Sequence, residues 1–536
     1  MADLRQYDAR ANELIARMSL DEKLGQMTQP ERMHISPEDV RRHHIGSVLS
    51  GGGSWPGANV PADWVAMNDA YWEATVANDG DDDGVAIPIL YGVDAVHGHN
   101  NVRGATLFPH NIGLGAARDP GLIERIARAT AREVLATGVE WTFAPTLAVV
   151  RDDHWGRTYE SYSEDPEIVA AYAAAFVRGL QGDLGEDGLV ACAKHWVGDG
   201  GTTGGVDQGE TTVSEDELRR FHIAPYLQAL SAGVLTVMAS YNSWNGEKCH
   251  GHEYLLSDVL KAEFGFDGFV VSDWDGAEQL HDDYDEAVAR SVLAGVDMFM
   301  VPEKWRDFIG ALRAQVDSGR VPMERIDDAV RRILRVKLAY RLFDRDRPAD
   351  RRWSNHESFG GDEHRAVARE AARKSLVLLK NDGGVLPVDR GARSLVAGKS
   401  APERGHQSGG FSLAWQGQSG NDHIEGGTSI WEGIEAMAPG AVLSPDGSAA
   451  DTGEFDVAIL VVGERPYAEG SGDVRRSQFV ARGSSFAQNT PGAGKLAPYG
   501  ATLEHRVSHP EDLATIERVR AAGIPVVTVL VSGRPL

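Results

Sequence analysis

Several apolar runs in this chain end in a group able to do chemistry. Asp94 follows the run 87–93, Lys194 and His195 follow 189–193, Tyr241 follows 235–239, and Asp273, with Trp274 after it, closes 269–271. Arg157 lies near another such end, and Trp55, Trp141, Trp155, Trp196 and Trp244 are close in sequence to the same places. One polar residue at a strand end is usually a loop boundary; four on separate strands point to a shared site, because catalytic groups of a parallel barrel collect at the carboxyl ends of its strands. The mixture suits a polyhydroxylated ligand. Asp, Arg and Lys hydrogen-bond hydroxyl groups, and indole faces cover C–H surfaces. The same tryptophans also fit a barrel core. Cutting a glycosidic bond needs two carboxyl groups, one to attack or activate water and one to protonate the leaving oxygen. Position narrows the choice among 79 acidic residues to Asp273 and to Glu469, in the Gly-rich stretch GERPYAEGSGD after the apolar run 457–462.

Other chemistries fit less well. His97 and His99 stand two apart, near Asp94 and His110, a spacing that matches neither a helical zinc motif nor a thiolate ribbon, so hydrogen bonding is the expected role and no metal is expected. GGG at 51–53 and GDGGTTGG at 198–205 lack the fingerprint of a dinucleotide or phosphate loop, and no cofactor is expected. No G-x-S-x-G elbow follows a strand. Cys192 and Cys249 are the two cysteines, too few for a disulfide framework, and Cys192 reads as a buried inert thiol. With 53 basic against 79 acidic residues the net charge is −26, which disfavours nucleic acid and anionic membranes as partners and leaves a small neutral ligand. No run is long and apolar enough to predict a membrane span, and the first residues do not read as a secretory leader; the compartment stays open.

The elements that must hold these groups are read from periodicity. Strands are expected at 45–49, 87–93, 141–145, 189–195, 235–241, 269–274 and 298–301. Helices are expected at 60–76, 120–136, 165–180, 214–232, 253–264, 283–293 and 305–318. Near-continuous apolar strands joined by helices mean a parallel sheet covered on both faces. Seven of them in about 300 residues predict an α/β fold of (β/α)8 type with one strand irregular. A helix over 323–342 closes this first domain, taken as 1–345. The polar stretch 346–370 reads as an interdomain linker. From 371 to 536 a second α/β unit is expected, a doubly wound sandwich: a helix over 363–374 leading into the apolar run 375–379, a strand at 457–462, a helix at 512–522 and a strand at 526–531. The long loop 463–499 is expected to be functional or disordered. Since a parallel strand needs cover, the second domain reads as cut short, to be completed by a companion fragment or a continuation.

The stretch GFDGFVVSDWDG at 265–276 resembles the nucleophile signature of glycoside hydrolase family 3. IPILYGVDAVHGHNNV, RTYESYSEDP, KHWVGDGG, VMASYNSWNG and KNDGGVLP, in this order along the chain, resemble the family's other motifs. The resemblance runs from near residue 20 to the end and is strongest to exo-acting β-glucan glucohydrolases and β-glucosidases. It implies a retaining hydrolase, with Asp273 matching the nucleophile and Glu469 the acid/base; Glu464, nearer the strand end, is the rival acid. Asp94, Arg157, Lys194, His195 and Tyr241 match positions around the terminal glucosyl unit. Trp274 and Trp415 match aromatics that, in plant enzymes of the subgroup, grip the next unit and tolerate β-1,3 and β-1,4 linkages.

Two positions depart from relatives. Gln279 stands where the plant enzymes carry an arginine at the leaving-group site. Asp199 stands where a branch acting on N-acetylglucosaminides carries a histidine acid/base, which argues against that branch. The resemblance thus implies release of glucose from β-glucosides and β-gluco-oligosaccharides. A β-xylosidase or another exo-glycosidase of the family is the alternative within enzymes, and a catalytically inactive sugar-binding protein the alternative outside them.

Overall fold

The computed structural model describes residues 3–76, 84–476 and 498–536. In the first unit, β1 (Thr28–Gln29), β2 (Ser47–Ser50), β3 (Leu90–Val93), β4 (Trp141–Thr142), β5 (Val190–Trp196), β6 (Thr236–Ala239), β7 (Phe269–Val271) and β8 (Phe299–Met300) succeed one another along the chain. Strands β2 to β7 pair in that order, all in parallel, into one curled sheet. β1 pairs in parallel with β8, and single parallel bridges, Glu31 to Leu49 and Val271 to Met298, link this short ladder to the two edges of the curled sheet. Helices between the strands cover the outside, so the strands are buried along their length and need no hydrophobic alternation.

β1 is the irregular strand absent from the periodicity. Its two residues are polar but buried: Thr28 Oγ1 donates to the Leu24 carbonyl at 2.8 Å and Gln29 Nε2 to Ser47 Oγ at 2.7 Å. The strand expected at 141–145 is regular only over Trp141–Thr142; beyond it the Phe143 N–H still donates to the Val93 carbonyl at 2.9 Å, the Pro145 carbonyl accepts the Lys194 N–H at 3.0 Å, and a single bridge joins Thr146 to Lys194. Inside the curl, Trp141 lies 4.9 Å from the Phe143 ring and 5.3 Å from Phe269, both edge-on, and its Nε1 donates to Thr236 Oγ1 at 3.0 Å.

Helix starts follow the caps in the sequence. Asp119 and Asp165 accept backbone N–H bonds at the starts of Pro120–Leu135 and Pro166–Gln181, each with proline in the first turn. The helix expected over 214–232 is instead three pieces, Glu215–Glu217, a wider π segment Leu218–Ile223, and Ala224–Ser231. Pro225 cannot donate to the carbonyl four residues back, which favours the looser i→i+5 turn before it. Tyr254–Glu263 is likewise a π helix, which periodicity does not distinguish from α.

The stretch after Met323–Ala339 is tied to the first unit rather than free. Trp353 Nε1 donates to Asp187 at 2.8 Å, Arg351 pairs with Glu140, and on the helix Asp362–Lys374 His364 meets Glu133 at 2.7 Å and Glu370 meets Arg125 at 2.8 Å. The apolar run 375–379 forms no strand, and Leu376 to Leu379 are 61–85% exposed.

The second unit is a four-stranded parallel sheet of β9 (Ser394–Ala397), β10 (Val442–Leu443), β11 (Val457–Gly463) and β12 (Val526–Val531), in the order β10-β9-β11-β12. Helix Ile430–Met437 packs one face through Ile430, Trp431 and Ile434; helix Pro510–Ala521 packs the other through Ile516 and Val519. The connections β9→β10 and β11→β12 therefore use opposite faces. The strand order reverses at the neighbours β9 and β11, and a doubly wound sheet opens a crevice beyond the carboxyl ends of such a pair. The loops leaving β9 and β11 carry Trp415 and Glu469. Residues 477–497 of the long loop after β11 lie outside the described residues.

Candidate active site

The carboxyl ends of the first unit's strands and the two loops of the second unit surround a cavity of about 300 Å³. Asp94, Arg157, Lys194, His195, Tyr241, Asp273, Trp274, Trp415 and Glu469 all line it, with Gly52, Met238, Met300, Glu303 and Phe411. Lys194 and His195 are consecutive on β5, so strict alternation would send one away from the cavity. The pairing of β5 with β6 shifts register between Ala193 and Trp196, and this irregularity lets both face it.

Asp273 follows β7. Its backbone N–H donates to His250 Nε2 at 2.9 Å, and its Oδ1 accepts the Trp274 N–H at 2.7 Å. His195 Nε2 lies 3.6 Å from Oδ2. Burial pushes the Asp273 carboxyl up to about 6 although the Arg157 and Lys194 charges oppose it. Glu469 opens the short turn Glu469–Gly472 with φ +52°, the left-handed region that a side-chain-bearing residue adopts only when its surroundings hold it there. Arg157 Nη1 is 3.7 Å from its Oε1. Burial raises the Glu469 carboxyl to about 8; Arg157 opposes the rise, and the Asp207 and Asp273 charges add to it.

Arg157 is itself held by a two-pronged pair with Glu160, both bonds 2.8 Å, and its Nη2 lies 3.3 Å from His195 Nε2. His195 Nδ1 meets Asp199 Oδ2 at 2.8 Å. Burial, with the Arg157 and Lys194 charges, keeps His195 neutral, well below its ordinary value; once Asp199, which burial raises to about 7, is ionised, the proton sits on Nδ1 toward it and Nε2 offers a lone pair. Lys194 Nζ is 2.6 Å from Asp94 Oδ1. Burial penalises this ammonium, yet the Asp94 and Glu160 carboxylates outweigh it and raise its value. Tyr241 Oη donates to the Trp274 carbonyl.

The two tryptophans rest on glycines. A Cβ at Gly51 would lie 2.8 Å from the Trp274 ring, and one at Gly52 would lie 2.9 Å from Trp415 Cβ. The loop after β2 must be bare there for both indoles to reach the mouth.

Glu464 is separated from Glu469 by geometry. It does not line the cavity. Its two oxygens accept from Tyr467 Oη at 2.8 Å, Ser532 Oγ at 2.8 Å, the Gly533 N–H at 3.1 Å and Arg534 Nε at 3.1 Å. The histidine group is spent on hydrogen bonds. His97 meets the Phe108 and Phe411 carbonyls at 3.0 and 2.7 Å and stacks on His110 at 4.0 Å; His110 meets the Ser408 and Gly410 carbonyls at 3.1 Å, and His99 Nε2 meets Thr137 at 3.0 Å. The bonds of His97 and His110 strap the second unit's Trp415 loop to the first. Among the described residues no group of three His, Cys, Asp or Glu is arranged to hold a metal, and no helix is long and apolar enough to cross a membrane. Burial raises both Cys192 and Cys249 to about 12, far from a reactive thiolate.

Sequence reasoning did not name Glu160, His250, Glu303 or Phe411. Glu160 had a faint signal, three residues after Arg157 in RTYESYSEDP. The other three had none, since each acts through a contact between distant segments.

Known proteins resemble this chain over most of its length. An exo-1,3/1,4-beta-glucanase from a Pseudoalteromonas species is 46% identical in sequence, with a TM-score of 0.91 over 99% of this chain and 83% of that one. A lysosomal beta glucosidase of Dictyostelium discoideum is 30% identical over 98% of this chain and 66% of its own, and a beta-xylosidase of Formosa agariphila is 32% identical over 84% and 63%. This chain thus spans about two thirds of the length of those curated relatives. The glycosyl hydrolase family 3 N-terminal domain matches residues 19–336 and the family's C-terminal domain matches 376–536, so the chain belongs to glycosyl hydrolase family 3.

Proposed function

We propose that this chain is a retaining exo-acting β-glucosidase, taking single glucosyl units from the non-reducing ends of β-glucosides and β-gluco-oligosaccharides. The observation that carries the reading is the pair of carboxyls facing one cavity from two folding units, with Asp273 at about 6 and Glu469 at about 8. Near neutral pH the first is ionised and the second holds its proton, the division of labour such a reaction needs.

In the first step an Asp273 oxygen attacks the anomeric carbon while the bond to the leaving oxygen breaks and Glu469 passes its proton to that oxygen. In the second, ionised Glu469 takes a proton from water, the water oxygen attacks the anomeric carbon, and the ester bond to Asp273 breaks. Asp94, Arg157, Lys194, His195 and Tyr241 would hold the hydroxyls of the terminal unit, and Trp274 and Trp415 would flank the next. A cavity of about 300 Å³, at the low end for small-molecule sites, favours a chain end over an internal stretch of polymer. We also infer that the eight strands of the first unit act as one closed barrel, the two bridges at its seam completing the ring that carries the site.

Incubation with a 2-deoxy-2-fluoro β-glucoside carrying a good leaving group tests the nucleophile: a stable mass increment is expected on the peptide containing Asp273, and labelling of any other peptide overturns the assignment. A nitrophenyl glycoside panel tests the substrate: faster release from the β-xyloside than from the β-glucoside makes the chain a β-xylosidase. Absence of turnover on every glycoside leaves a sugar-binding protein.

A further inference from the structure

Glu469 sits in an unfavourable backbone conformation on a loop, and something must hold it over the cavity. The loop's early part is held by its neighbours: Tyr159 Oη donates to the Tyr467 carbonyl at 2.9 Å and the Ala468 N–H donates to Gln416 at 2.8 Å. On its far side the Asp473 carboxylate accepts the Gly156 and Asp207 N–H groups at 2.9 and 3.0 Å. The approach is tight, since a Cβ on Gly156 would fall 1.9 Å from the Glu469 carbonyl oxygen.

One side chain spans the stretch from Glu464 to Gly472. Arg534, just beyond β12, is fully buried. Its Nε meets Glu464 at 3.1 Å and Tyr467 Oη at 2.9 Å where the loop begins; its Nη2 donates to the Gly472 carbonyl at 2.5 Å where the turn ends; its Nη1 donates to the Asp153 carbonyl of the first unit at 3.1 Å. The guanidinium also lies 4.6 Å above the Tyr467 ring. A planar fork with donors in fixed directions can tie three backbone segments at once, which a flexible ammonium cannot. Glu464, saturated by four donors, neutralises the buried charge and aims the fork.

We propose that Arg534, anchored by Glu464, is the positioning residue of Glu469: it closes the loop on both sides of the turn and docks it to the first unit, so that the Glu469 carboxyl stands over the cavity. Arg534 touches no part of the cavity itself and acts through the loop. The inference rests on the proposed acid/base role of Glu469.

The test compares leaving groups. A 2,4-dinitrophenyl β-glucoside needs little protonation to depart, whereas a β-linked glucose disaccharide needs a well-placed acid. For Arg534→Lys and Arg534→Met, kcat/KM on the disaccharide is expected to fall by roughly 30-fold or more, and on the dinitrophenyl glucoside by no more than about 3-fold, since a group displaced by an ångström loses on the order of 10²-fold in proton-transfer efficiency. If the Met variant does not fold, Tyr467→Phe carries the test, with the same split at about 3- to 10-fold. An equal fall on both substrates marks a merely structural residue and overturns the proposal, as does no fall on either. Glu469→Ala is assayed in parallel with added azide. If it shows neither the leaving-group split nor rescue, the acid/base reading itself fails; if it shows both while the Arg534 and Tyr467 variants show no split, only the positioning role fails.

Discussion

Two carboxyls in one cavity leave a signature in pH. In the proposed mechanism Asp273 must be ionised to attack, so kcat/KM should rise as pH climbs through about 6; Glu469 must be protonated to release the aglycone, so it should fall as pH passes about 8. The two groups influence each other, so the limbs belong to the pair as apparent values. A bell with its maximum near neutrality is expected from initial rates on a β-glucoside. In Glu469→Gln, assayed on an activated glucoside, the alkaline limb should disappear; its persistence would assign that limb to another group. At the same scale, Asp199→Asn removes the carboxylate that keeps the His195 proton on Nδ1. Its amide can donate to Nδ1 instead, putting a hydrogen on Nε2 where the cavity offers a lone pair. A loss of about 10-fold in kcat/KM is expected, in the range of a misplaced hydrogen bond, and an unchanged value would show that the tautomer does not matter.

The elements that place these groups make their own demands. Gly51 lies under the Trp274 ring and Gly52 against the Cβ and backbone of Trp415, and a methyl group at either must push that tryptophan aside. Gly52→Ala is expected to raise KM for a β-glucose disaccharide several-fold, with a smaller change for methyl β-glucoside, whose aglycone is too small to reach both rings. Equal changes for the two substrates would mean that the rings do not grip a second unit. On the core side, Trp141→Ala removes a fully buried indole packed on Phe143 and Phe269, and an expected loss of about 3–5 kcal/mol can be read from denaturant unfolding. Most of these elements were legible along the chain. Long apolar runs announced β2 to β8, and capping residues with proline announced the helices over 120–135 and 166–181. The rest was hidden for physical reasons. β1 is two polar residues whose burial depends on partners elsewhere, the run 375–379 is apolar but finds no sheet to join, and the π turn before Pro225 follows from a missing N–H that hydrophobic periodicity does not record.

At the scale of the molecule, folding buries groups that prefer to be neutral. Asp199, Asp275 and Asp473 rise to about 7 and Glu469 to about 8, each through burial. These carboxyls keep protons that the unfolded chain has released by pH 5, so their contribution to stability is lost as pH rises toward 7 and 8. His97, His110 and His195 are held neutral by burial, and His99 and His250 fall to about 3, so their contribution is lost as pH drops below 6.5. The two trends oppose each other below 6.5. Above about 7 a third enters: burial lowers Lys261 and Lys337 to about 7, so the unfolded chain holds protons that these amines have lost and stability rises with pH. The melting temperature is therefore expected to fall between about pH 6.5 and 7.5 and to rise again beyond 8, where the carboxyls are spent and the lysines still differ between the two states. A flat profile across that window would show that the buried carboxyls are not protonated.

By itself the sequence determined the residue types, the strand ends that carry Asp94, Lys194, His195, Tyr241 and Asp273, and the family likeness written in their neighbouring motifs. Those follow from local pattern, because a parallel strand covered on both faces must be apolar until it reaches the loop that holds its chemistry. Only the tertiary structure set Glu464 and Glu469 in different surroundings. Both lie in one short stretch of loop; one is saturated by Arg534, Tyr467, Ser532 and Gly533, and the other is turned into the cavity. It also decided which tryptophans line the cavity: Trp274 and Trp415 meet there, while Trp141, Trp155 and Trp196 are buried. The protonation of each carboxyl was decided there too, because a side chain's titration depends on the water taken from it and the charges set beside it, and both are supplied by segments far away in the chain.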